Sequence, residues 1–437
     1  MKSTVLVIGA GISGLGVSRF LAKRGKHVVL TDGKKVAQKN ELEALGIEVY
    51  DEGHPDHLHH TNYEYVVKNP GIPYYVDFVN YFVQQGMPIY NEIEVALWYT
   101  SNFQIGAITG TNGKTTTTSL LAELLKRKNP LSVAAGNIGK AMSDIVEEHM
   151  QDTLDISLEI AAFQLLGTKE FSPKVSVIMN LTPDHLDYFG KEEAYYQAKT
   201  LVYRNQKSDD FFLRNVDDAM VVKYCENIPC QTLDFSLERT DVDICVKDGV
   251  VYLKDVALFE VKKLHLVGKH NLQNAVVAAS MAYLMGVSCE DIANGIDEFK
   301  GVEHRIEYVD EINGVRYYND SKGTNVDATI VALKAFDQPV HLLAGGYDKK
   351  LSFDDLKPYL SKVKQMYVFG EVKQQLKDLC PSAIVVDTME EALNLAHENA
   401  QENEVVLLSP ACASWDQFPN FEVRGKMFKE QVYKFKG

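Results

Sequence analysis

A glycine-rich segment at residues 110–116, Gly-Thr-Asn-Gly-Lys-Thr-Thr, constrains the fold of this chain more than any other feature. An apolar run at residues 105–108 predicts a buried strand before it, and residues 119–126 have the spacing of an amphipathic helix after it. A glycine-rich turn between a strand and a helix directs backbone N–H groups toward an anion, which the helix N-terminus also attracts. The segment therefore predicts a phosphate-binding loop in an α/β domain.

The side chains of this loop indicate a nucleoside triphosphate bound with magnesium. We expect Lys114 to supply a positive charge to the phosphates and Thr115 to supply a hydroxyl ligand to the metal. The common P-loop has another glycine where this chain has Ile108, so the motif is a shorter Gly-x-x-Gly-Lys-Thr. The alternative is a glycine-rich turn followed by an ordinary surface lysine.

Length and charge exclude several classes of protein. A chain of 437 residues is too long for one core and suggests about three domains. The net charge of −15 argues against non-specific binding to nucleic acid or to anionic membranes, which favour basic surfaces. The six cysteines lack zinc-type spacing and fit a reduced cytoplasm. The sequence has no apolar run long enough to span a bilayer, so we expect a cytoplasmic protein without membrane insertion.

The N-terminal region has the pattern of a nucleotide-binding unit. Residues 5–8 predict a buried strand, and Gly-Ala-Gly-Ile-Ser-Gly at residues 9–14 opens a helix that we expect to end near Arg24. A second predicted strand, at residues 28–31, ends in Asp32, about where an acidic residue meets the ribose in NAD enzymes. The pattern predicts a site for a nucleotide, a diphosphate or a sugar phosphate. The alternative is a tight turn without a ligand.

Two predicted strands of the central region end in candidate metal ligands. Glu159 interrupts an apolar strand at residues 156–160, and a buried carboxylate is costly unless it is paired or bound to a metal. His185 follows another predicted strand, at residues 175–180, at the edge where α/β sheets bind ligands. With Thr115 these residues are donors suited to magnesium, although a lone histidine is more often structural. The next predicted helix, at residues 191–203, presents Lys199.

The last third of the chain predicts a second parallel sheet. Asn313-Gly314 has the composition of a hairpin turn between strands at residues 306–310 and 315–319. Apolar strands at residues 341–344, 366–369, 384–387 and 405–408 then alternate with helical segments. Before this region, His270 and Asn271 precede a predicted helix at residues 275–285, where an N-cap role is the plain alternative to ligand binding. Cys412 has no identifiable partner histidine, so we expect a small buried residue rather than a nucleophile.

Taken together, these motifs resemble those of the Mur ligases, the bacterial enzymes of peptidoglycan synthesis, nearly from end to end. The matching segments are Gly-x-Gly-x-x-Gly at Gly9, Asn-Pro-Gly-Ile at Asn69, Gly-Thr-Asn-Gly-Lys-Thr-Thr at Gly110, Gly-Asn-Ile-Gly at Gly136, Asp-His at Asp184, Gly-x-His-Asn at Gly268, His-Arg at His304, Asn-Asp-Ser-Lys at Asn319 and Ser-Pro-Ala-Cys-Ala-Ser-Trp-Asp at Ser409. The small N-terminal region and the Ser-Pro-Ala-Cys-Ala-Ser loop resemble the D-glutamate-adding members.

The resemblance implies an α/β fold of three domains. These are a Rossmann-like UDP-substrate domain at residues 1–93, a central P-loop ATP-binding domain at 94–300 and a Rossmann-like amino-acid-binding domain at 301–437. The implied reaction joins the alanyl carboxylate of UDP-N-acetylmuramoyl-L-alanine to the amine of D-glutamate through an acyl phosphate, with release of ADP and phosphate. The implied partners are these small molecules, and we expect a monomer.

The resemblance also assigns residues to each ligand. The catalytic residues it implies are Lys114, Glu159, His185 and Lys199. Two magnesium ions are implied, one held by Thr115 and Glu159 and the other by His185 and a carbamylated Lys199. ATP would contact Gly110, Thr111, Asn112, Gly113, Lys114, Thr115, Thr116, Asn271, His304, Arg305 and Asp320. The UDP substrate would contact Ile12, Ser13, Asp32, Gly33, Asn69, Gly71, Asn137 and His185. D-glutamate would contact Lys322, Thr324, Lys349, Ser414, Trp415 and Phe421.

One departure from the family pattern leaves room for other functions. The family usually has two serines after the metal-binding glutamate, where this chain has Ala161 and Ala162. A non-catalytic nucleotide-binding relative is therefore one alternative. An NAD-dependent oxidoreductase is a second, suggested by the N-terminal fingerprint, but this function does not explain the Lys114 loop. A folate polyglutamate ligase is a third, which does not account for the N-terminal unit.

Overall fold

The computed structural model describes residues 3–349 and 352–436. Three β-sheets of five, nine and six strands organise this part of the chain. The chain divides into two compact units, Met1–Glu260 with Asn274–Gly295, and Val261–Gln273 with Ile296–Gly437. The first two sheets belong to the first unit and the third sheet to the second. Within the described residues, every helix is too short or too polar to cross a lipid bilayer.

The five-stranded sheet is parallel and lies at the N-terminus. Its strands are β1 (Thr4–Ile8), β2 (His27–Thr31), β3 (Glu48–Tyr50), β4 (Tyr65–Lys68) and β5 (Ile89–Tyr90), in the order β3-β2-β1-β4-β5. The accompanying helices are α1 (Ile12–Lys23), α2 (Lys39–Ala44), α3 (His57–His60), α4 (Asp77–Gln84) and α5 (Glu92–Leu97). Residues 5–8 of β1 are all buried, as expected of a parallel strand covered by helices on both faces. The predicted strand, glycine turn and helix at the N-terminus are thus confirmed.

The nine-stranded sheet carries the P-loop. Its strands are β6 (Phe103–Thr109), β7 (Val133–Gly136), β8 (Leu154–Glu159), β9 (Val175–Ile178), β10 (Phe211–Asn215), β11 (Gln231–Phe235), β12 (Ile244–Lys247), β13 (Val250–Leu253) and β14 (Val256–Glu260). The associated helices are α6 (Lys114–Lys128), α7 (Met142–Glu148), α8 (Ala162–Leu165), α9 (Leu186–Phe189), α10 (Glu192–Thr200), α11 (Ala219–Tyr224), α12 (Lys269–Leu284) and α13 (Cys289–Glu298), with short 3-10 helices at Leu201–Tyr203 and Val261–Lys263.

The order of this sheet brings the candidate ligands to one edge. The strand order is β14-β13-β12-β11-β10-β9-β6-β8-β7, and the strands from β12 to β7 along this order are parallel. Because β6 lies between β9 and β8, the segments that follow β6, β7, β8 and β9 leave the sheet side by side. Glu159 is in register with Ile108 of β6 and with Gly136 of β7.

Two predicted helices begin earlier than the sequence pattern indicated. Helix α6 begins at Lys114 rather than near residue 119, and α12 begins at Lys269 rather than at 275. Four threonines follow Lys114 and have low helix propensity, but packing buries Thr117 and Thr118 completely and overrides that preference. The alternative N-cap role for His270 and Asn271 is wrong, because both residues lie inside α12.

The six-stranded sheet organises the second unit. Its strands are β15 (Glu307–Ile312), β16 (Val315–Asn319), β17 (Val340–Gly345), β18 (Val363–Phe369), β19 (Ile384–Val385) and β20 (Val405–Leu408), in the order β15-β16-β20-β17-β18-β19. Its helices are α14 (Val326–Lys334), α15 (Lys373–Leu379), α16 (Met389–Asn399) and α17 (Phe421–Lys434), with a 3-10 helix at Asp354–Lys362. Asn313 and Gly314 both have positive φ, at +52° and +76°, which confirms the predicted hairpin turn.

Candidate active site

The phosphate-binding loop has the backbone that its glycines predict. Gly110 has a φ of +145° and Gly113 a φ of +84°, and Gly113 is the N-cap of α6. A Cβ at Gly110 would lie 2.8 Å from the Cβ of Met179, so a side chain there would collide with the segment after β9. Asn180 fixes the middle of the loop, since its Oδ1 accepts from Asn112 N at 2.8 Å. The loop is therefore preorganised at the start of a 15-residue helix, where an anion binds favourably.

Two lysines meet at one carbonyl of this loop. The Nζ of Lys114 donates to Gly110 O at 2.9 Å and to Thr111 O at 2.8 Å. The Nζ of Lys199 donates to the same Gly110 O at 2.8 Å. The structure thus brings the predicted Lys199 of α10 directly to the P-loop.

Glu159 lies near these two lysines, and only one of its two carboxylate oxygens accepts a hydrogen bond among the described residues. Its side chain is 1% exposed at the end of β8, and Oε1 accepts from Asn137 Nδ2 at 2.8 Å. Oε2 is buried and has no hydrogen-bond partner among the residues that the structure describes. A buried carboxylate oxygen without a donor is costly unless a cation satisfies it. This position therefore fits a metal ligand.

Lys199 is buried, and its surroundings disfavour the charged form. It is 1% exposed, and its Nζ lies 4.4 Å from the ring centroid of Tyr195. Burial lowers the pKa of Lys199 well below its ordinary value, and the positive charge of Lys114 lowers this pKa further. The charges of Asp184 and Glu159 raise the same pKa, so four charged groups converge at this point.

His185 stands at the rim of the same edge. It is the N-cap residue of α9 with a φ of +51°, and its side chain is about half exposed. Its ring contacts the rings of Phe163 and Tyr195, with centroids 5.6 Å and 6.0 Å away. Tyr195 thus lies between the predicted ligands His185 and Lys199.

The donor set fits magnesium bound partly by phosphate. Among the described residues no group of three or more His, Cys, Asp or Glu side chains forms a closed metal site. The donors present are the unpartnered Glu159 oxygen, His185 and the Thr115 hydroxyl at the first turn of α6. Magnesium usually takes one or two protein oxygens and completes its shell with phosphate oxygens and water, which matches such an open set.

The two alanines that depart from the family pattern lie at the start of α8. Gln164 Oε1 accepts from Ala161 N at 2.8 Å, which is one half of a capping box. Ala161 is the N-cap residue and has no side-chain oxygen to accept from the Gln164 N–H, which donates to the Ala161 carbonyl at 3.0 Å. The missing serine at residue 161 therefore has a local structural consequence.

Restoring that hydroxyl should stabilise the turn after Glu159. In Ala161→Ser we expect the serine Oγ to accept from Gln164 N and to stabilise α8 by about 1 kcal/mol. Amide hydrogen exchange at Gln164 should slow by about fivefold, as this free energy implies. Equal exchange rates in the two proteins would contradict the expected bond.

In the N-terminal sheet, Asp32 joins two turns. Its Oδ2 accepts from Ala10 N at 2.7 Å, and its Oδ1 accepts from Lys34 N at 2.8 Å. The carboxylate thus holds the glycine turn after β1 against the Gly33 turn after β2. Ile12 and Ser13 begin α1 on this turn, and Ile12 is 74% exposed, which leaves it available to a ligand.

The loop at residues 69–72 packs on the same glycine turn. A Cβ at Gly9 would lie 2.7 Å from the Cβ of Asn69 and 2.8 Å from Cδ1 of Ile72. Asn69 Oδ1 accepts from Gly71 N at 3.2 Å. The structure therefore brings together the predicted residues that follow β1, β2 and β4.

In the second unit, the residues predicted to contact the amino acid cluster around two lysines. Lys349 Nζ donates to Thr324 O at 3.2 Å and lies 5.7 Å from the ring centroid of Trp415. Lys322 Nζ lies 5.7 Å from the ring centroid of Phe421. Ser414, next to Trp415, is 2% exposed. Two lysine cations suit the carboxylates of a small dicarboxylic acid.

Two of the predicted nucleotide residues of the second unit, His304 and Asp320, are buried. Asp320 Oδ2 accepts from Ser409 Oγ at 2.7 Å, and Oδ1 accepts from Ile306 N at 3.2 Å. Burial raises the pKa of Asp320 to about 7. His304 has a φ of +64° and its Nδ1 lies 2.9 Å from Asn319 Nδ2, while burial lowers the pKa of His304. Arg305 is exposed.

For Asn271 the sequence indicates ligand binding or an N-cap role, and for Cys412 it indicates a small buried residue. The Nδ2 of Asn271 donates to Val267 O at 2.8 Å from within α12. Cys412 is 3% exposed, and burial raises the pKa of its thiol to about 12. The prediction of a small buried cysteine is confirmed, because a thiol with such a pKa is a poor nucleophile at neutral pH.

Arg424 is a site residue that the sequence did not reveal. It is completely buried in α17, where Nε donates to Ser321 Oγ at 3.0 Å and Nη2 donates to Ser321 O at 2.9 Å and Cys412 O at 3.1 Å. It thus joins the loop of Lys322 to the loop of Ser414. An arginine on an amphipathic helix ordinarily reaches solvent, so no local pattern distinguishes it.

Comparison with known proteins matches all three regions. The family model of the MurD-like Mur ligase N-terminal domain matches residues 3–91, the Mur ligase middle domain matches 108–282 and the Mur ligase glutamate ligase domain matches 304–412. The chain is 41% identical over 442 residues to proteins named UDP-N-acetylmuramoylalanine--D-glutamate ligase from Bacillus cereus (strain G9842) and Bacillus thuringiensis (strain Al Hakam). Each alignment covers 99% of this chain and 98% of the relative.

Solved structures show the same fold at low sequence identity. UDP-N-acetylmuramate-alanine ligase MurC from Thermotoga maritima has a TM-score of 0.55 and 18% identity, with 99% of this chain and 100% of that chain covered. MurF from Acinetobacter baumannii has a TM-score of 0.60 and 16% identity, with 97% and 93% covered. The family models, the relatives and the geometry of the P-loop edge agree, and we conclude that this chain belongs to the Mur ligase family.

Proposed function

We propose that this chain is an ATP-dependent ligase that joins UDP-N-acetylmuramoyl-L-alanine to D-glutamate in peptidoglycan precursor synthesis. The observation that carries the proposal is the meeting of Lys114, Lys199 and the unpartnered oxygen of Glu159 at one edge of the central sheet. That constellation suits the activation of a carboxylate by ATP and magnesium. The name of the relatives at 41% identity supports the choice of substrates.

The domain assignment follows from the three sheets. We assign residues 1–93 to the UDP substrate, 94–300 to ATP and 301–437 to the amino acid, and each range contains one sheet. The UDP substrate contacts Ile12, Ser13, Asp32, Gly33, Asn69, Gly71, Asn137 and His185. The residues assigned to ATP are the loop at 110–116, Asn271, His304, Arg305 and Asp320. D-glutamate contacts Lys322, Thr324, Lys349, Ser414, Trp415 and Phe421.

Two magnesium ions complete the proposed ATP site. Thr115 and Glu159 would hold one, and His185 and a carbamylated Lys199 would hold the other. The burial of Lys199, which lowers its pKa, supports this modification, because only a neutral amine adds carbon dioxide, with loss of a proton, to form a carbamate. A carbamate is a carboxylate-like oxygen ligand, whereas an ammonium cannot bind a metal. Magnesium bound there neutralises phosphate charge and polarises the phosphoryl group.

The chain's own groups account for the order of the reaction. Lys114 and the N–H groups of the P-loop hold the β- and γ-phosphates so that the alanyl carboxylate attacks the γ-phosphorus and ADP leaves. The resulting acyl phosphate is attacked by the amine of D-glutamate, and phosphate departs as the amide forms. Lys349 and Lys322 hold the carboxylates of D-glutamate so that its amine is free to attack.

Phosphate release in the presence of both substrates tests the proposal. Purified protein with ATP and magnesium should release phosphate only when UDP-N-acetylmuramoyl-L-alanine and D-glutamate are both present. L-glutamate and meso-diaminopimelate serve as controls for the amino acid. Absence of release at every magnesium concentration would favour the second candidate, a nucleotide-binding relative without catalysis, which Ala161 and Ala162 beside the metal ligand would explain.

We further propose that the protein acts in the cytoplasm as a monomer. All six cysteines are free in the structure, and a reducing compartment keeps thiols in that state. The three substrates are soluble small molecules. Light scattering at micromolar concentration should give the mass of one 49.0 kDa chain.

A further inference from the structure

A buried lysine at the end of β4 has no part in the site described above. Lys68 is 3% exposed, and its Nζ donates to Ile72 O at 2.6 Å, to Asn69 O at 3.1 Å and to Pro70 O at 3.4 Å. The Nζ also lies 4.5 Å from the ring centroid of Tyr74. Among the described residues no carboxylate pairs with it, and burial lowers the pKa of Lys68 to about 7.

A contribution to the free energy of unfolding does not explain why a lysine is buried at this position. An ion buried without an opposite charge costs free energy, which hydrogen bonds to neutral carbonyls offset only in part. The three carbonyls all belong to the loop at residues 69–72. That loop packs on the glycine turn, where a Cβ at Gly11 would lie 2.5 Å from Nδ2 of Asn69. The position of the loop therefore decides how much space remains above the glycine turn.

The same loop also contacts the helix that follows the candidate metal ligand His185. Tyr188 of α9 donates its hydroxyl to Ile72 O at 3.4 Å, the carbonyl that Lys68 holds most closely. Both contacts lie within the first compact unit. A movement of Ile72 would therefore change its contact with Lys68 of the N-terminal sheet and its contact with Tyr188 of α9.

We propose that Lys68 is a positioning residue for the UDP-bearing substrate, which holds the carbonyls of residues 69–72 so that this loop is preorganised against the glycine turn. The inference rests on the proposed function, which assigns the loop to that substrate. Lys68 acts through the loop rather than by touching the substrate. Its role is to lower the cost of ordering the loop when the substrate binds.

Replacement by methionine separates this role from a structural one. Lys68→Met keeps the length of the side chain and removes its charge and its donors. We expect the KM for UDP-N-acetylmuramoyl-L-alanine to rise about tenfold, as the loss of a charged hydrogen bond implies. The KM values for ATP and D-glutamate should stay the same, because the substitution alters only the contacts of the loop at residues 69–72. Lys68→Arg retains donors and should recover part of the affinity.

The dependence on pH provides a second readout. An ammonium has three N–H donors for the three carbonyls, whereas the neutral amine has two. The titratable groups that face Lys68 are Tyr74 and, across Ile72 O, Tyr188. Burial raises the pKa of Tyr74 to about 12 and also raises the pKa of Tyr188, so neither group titrates near neutrality. Affinity for UDP should therefore fall as pH rises from about 6 to about 8.5 in the wild type and stay flatter in Lys68→Met.

Calorimetric titration with UDP gives the decisive comparison. Lys26→Met is the matched control, because Lys26 lies in the same sheet region but pairs with Glu64 at 2.7 Å. A wild-type KM in Lys68→Met would overturn the inference, and so would a uniform rise of every KM with a lower thermal midpoint. If the wild type fails to turn over, the proposed function fails, but weaker UDP binding by Lys68→Met would still support the role of Lys68. Equal UDP affinity in both proteins would overturn it.

Discussion

Lys199→Ala should reduce kcat on the order of 10³-fold, the effect of removing one preorganised group from a transition-state charge site. The side chain is 1% exposed and its Nζ donates to Gly110 O of the P-loop at 2.8 Å, which places the amine at the phosphate-binding loop. If Lys199 carries a carbamate, the variant loses a metal ligand together with this contact. The measurement is phosphate release at saturating concentrations of all three substrates.

The carbamate has its own tests. Wild-type protein kept free of carbon dioxide should lose activity and regain it with bicarbonate, whereas Lys199→Ala should not respond. A ¹³C carbamate resonance should appear in wild-type protein supplied with labelled bicarbonate and be absent from the variant. Lys174→Ala is the matched control, because Lys174 also bonds a backbone carbonyl, Asp209 O at 2.6 Å, but on an exposed surface. Unimpaired turnover in Lys199→Ala would remove this residue from the metal site.

Glu159→Gln should reduce kcat by about 10²- to 10³-fold without lowering the thermal midpoint. The amide retains an oxygen for the Asn137 Nδ2 donor but cannot offer a second anionic oxygen to magnesium. A neutral group costs less to bury than the unpartnered carboxylate that it replaces, so the fold is not weakened. The magnesium dependence of phosphate release and a thermal melt measure the two effects.

Glu94→Gln is the control for this substitution. Glu94 is also 1% exposed, but its two oxygens accept from Glu170 N at 2.7 Å and from Phe171 N at 3.1 Å. Glutamine there should lower the thermal midpoint, because one of these donors loses its acceptor, and should leave the magnesium dependence unchanged. An unaltered magnesium dependence in Glu159→Gln would contradict the assignment of this carboxylate to the metal.

Much of the fold follows from local pattern. Apolar strands that end in glycine turns predicted β1, β6 and the strands of the second parallel sheet, because a buried parallel strand is apolar on both faces. The Asn313-Gly314 turn was equally clear, since a tight hairpin needs two residues that tolerate positive φ. The short strands β3 and β5 were missed, and the start of α6 was placed too late, because packing rather than propensity decides these elements.

The residues of the candidate site likewise divide into those that the sequence indicates and those that only the structure shows. Residue type and position marked Lys114, Glu159 and His185, because their chemistry is unusual at the ends of apolar strands. Nothing local marked Lys68 or Arg424, which resemble ordinary surface cations in the sequence but are 3% and 0% exposed. Their donors reach carbonyls on loops, and loop carbonyls carry no signature in side-chain chemistry.

The amino-acid sequence by itself determined the class of fold, the phosphate loop and the family, because these depend on short segments whose residues adopt their conformation locally. The tertiary structure alone decided that β6 lies between β8 and β9, which brings Lys199 and Glu159 to the P-loop. It also decided which charged side chains are buried. Burial and strand order arise from contacts between residues far apart in the chain, and these contacts lower the pKa of Lys199 and leave one buried oxygen of Glu159 without a hydrogen-bond partner among the described residues.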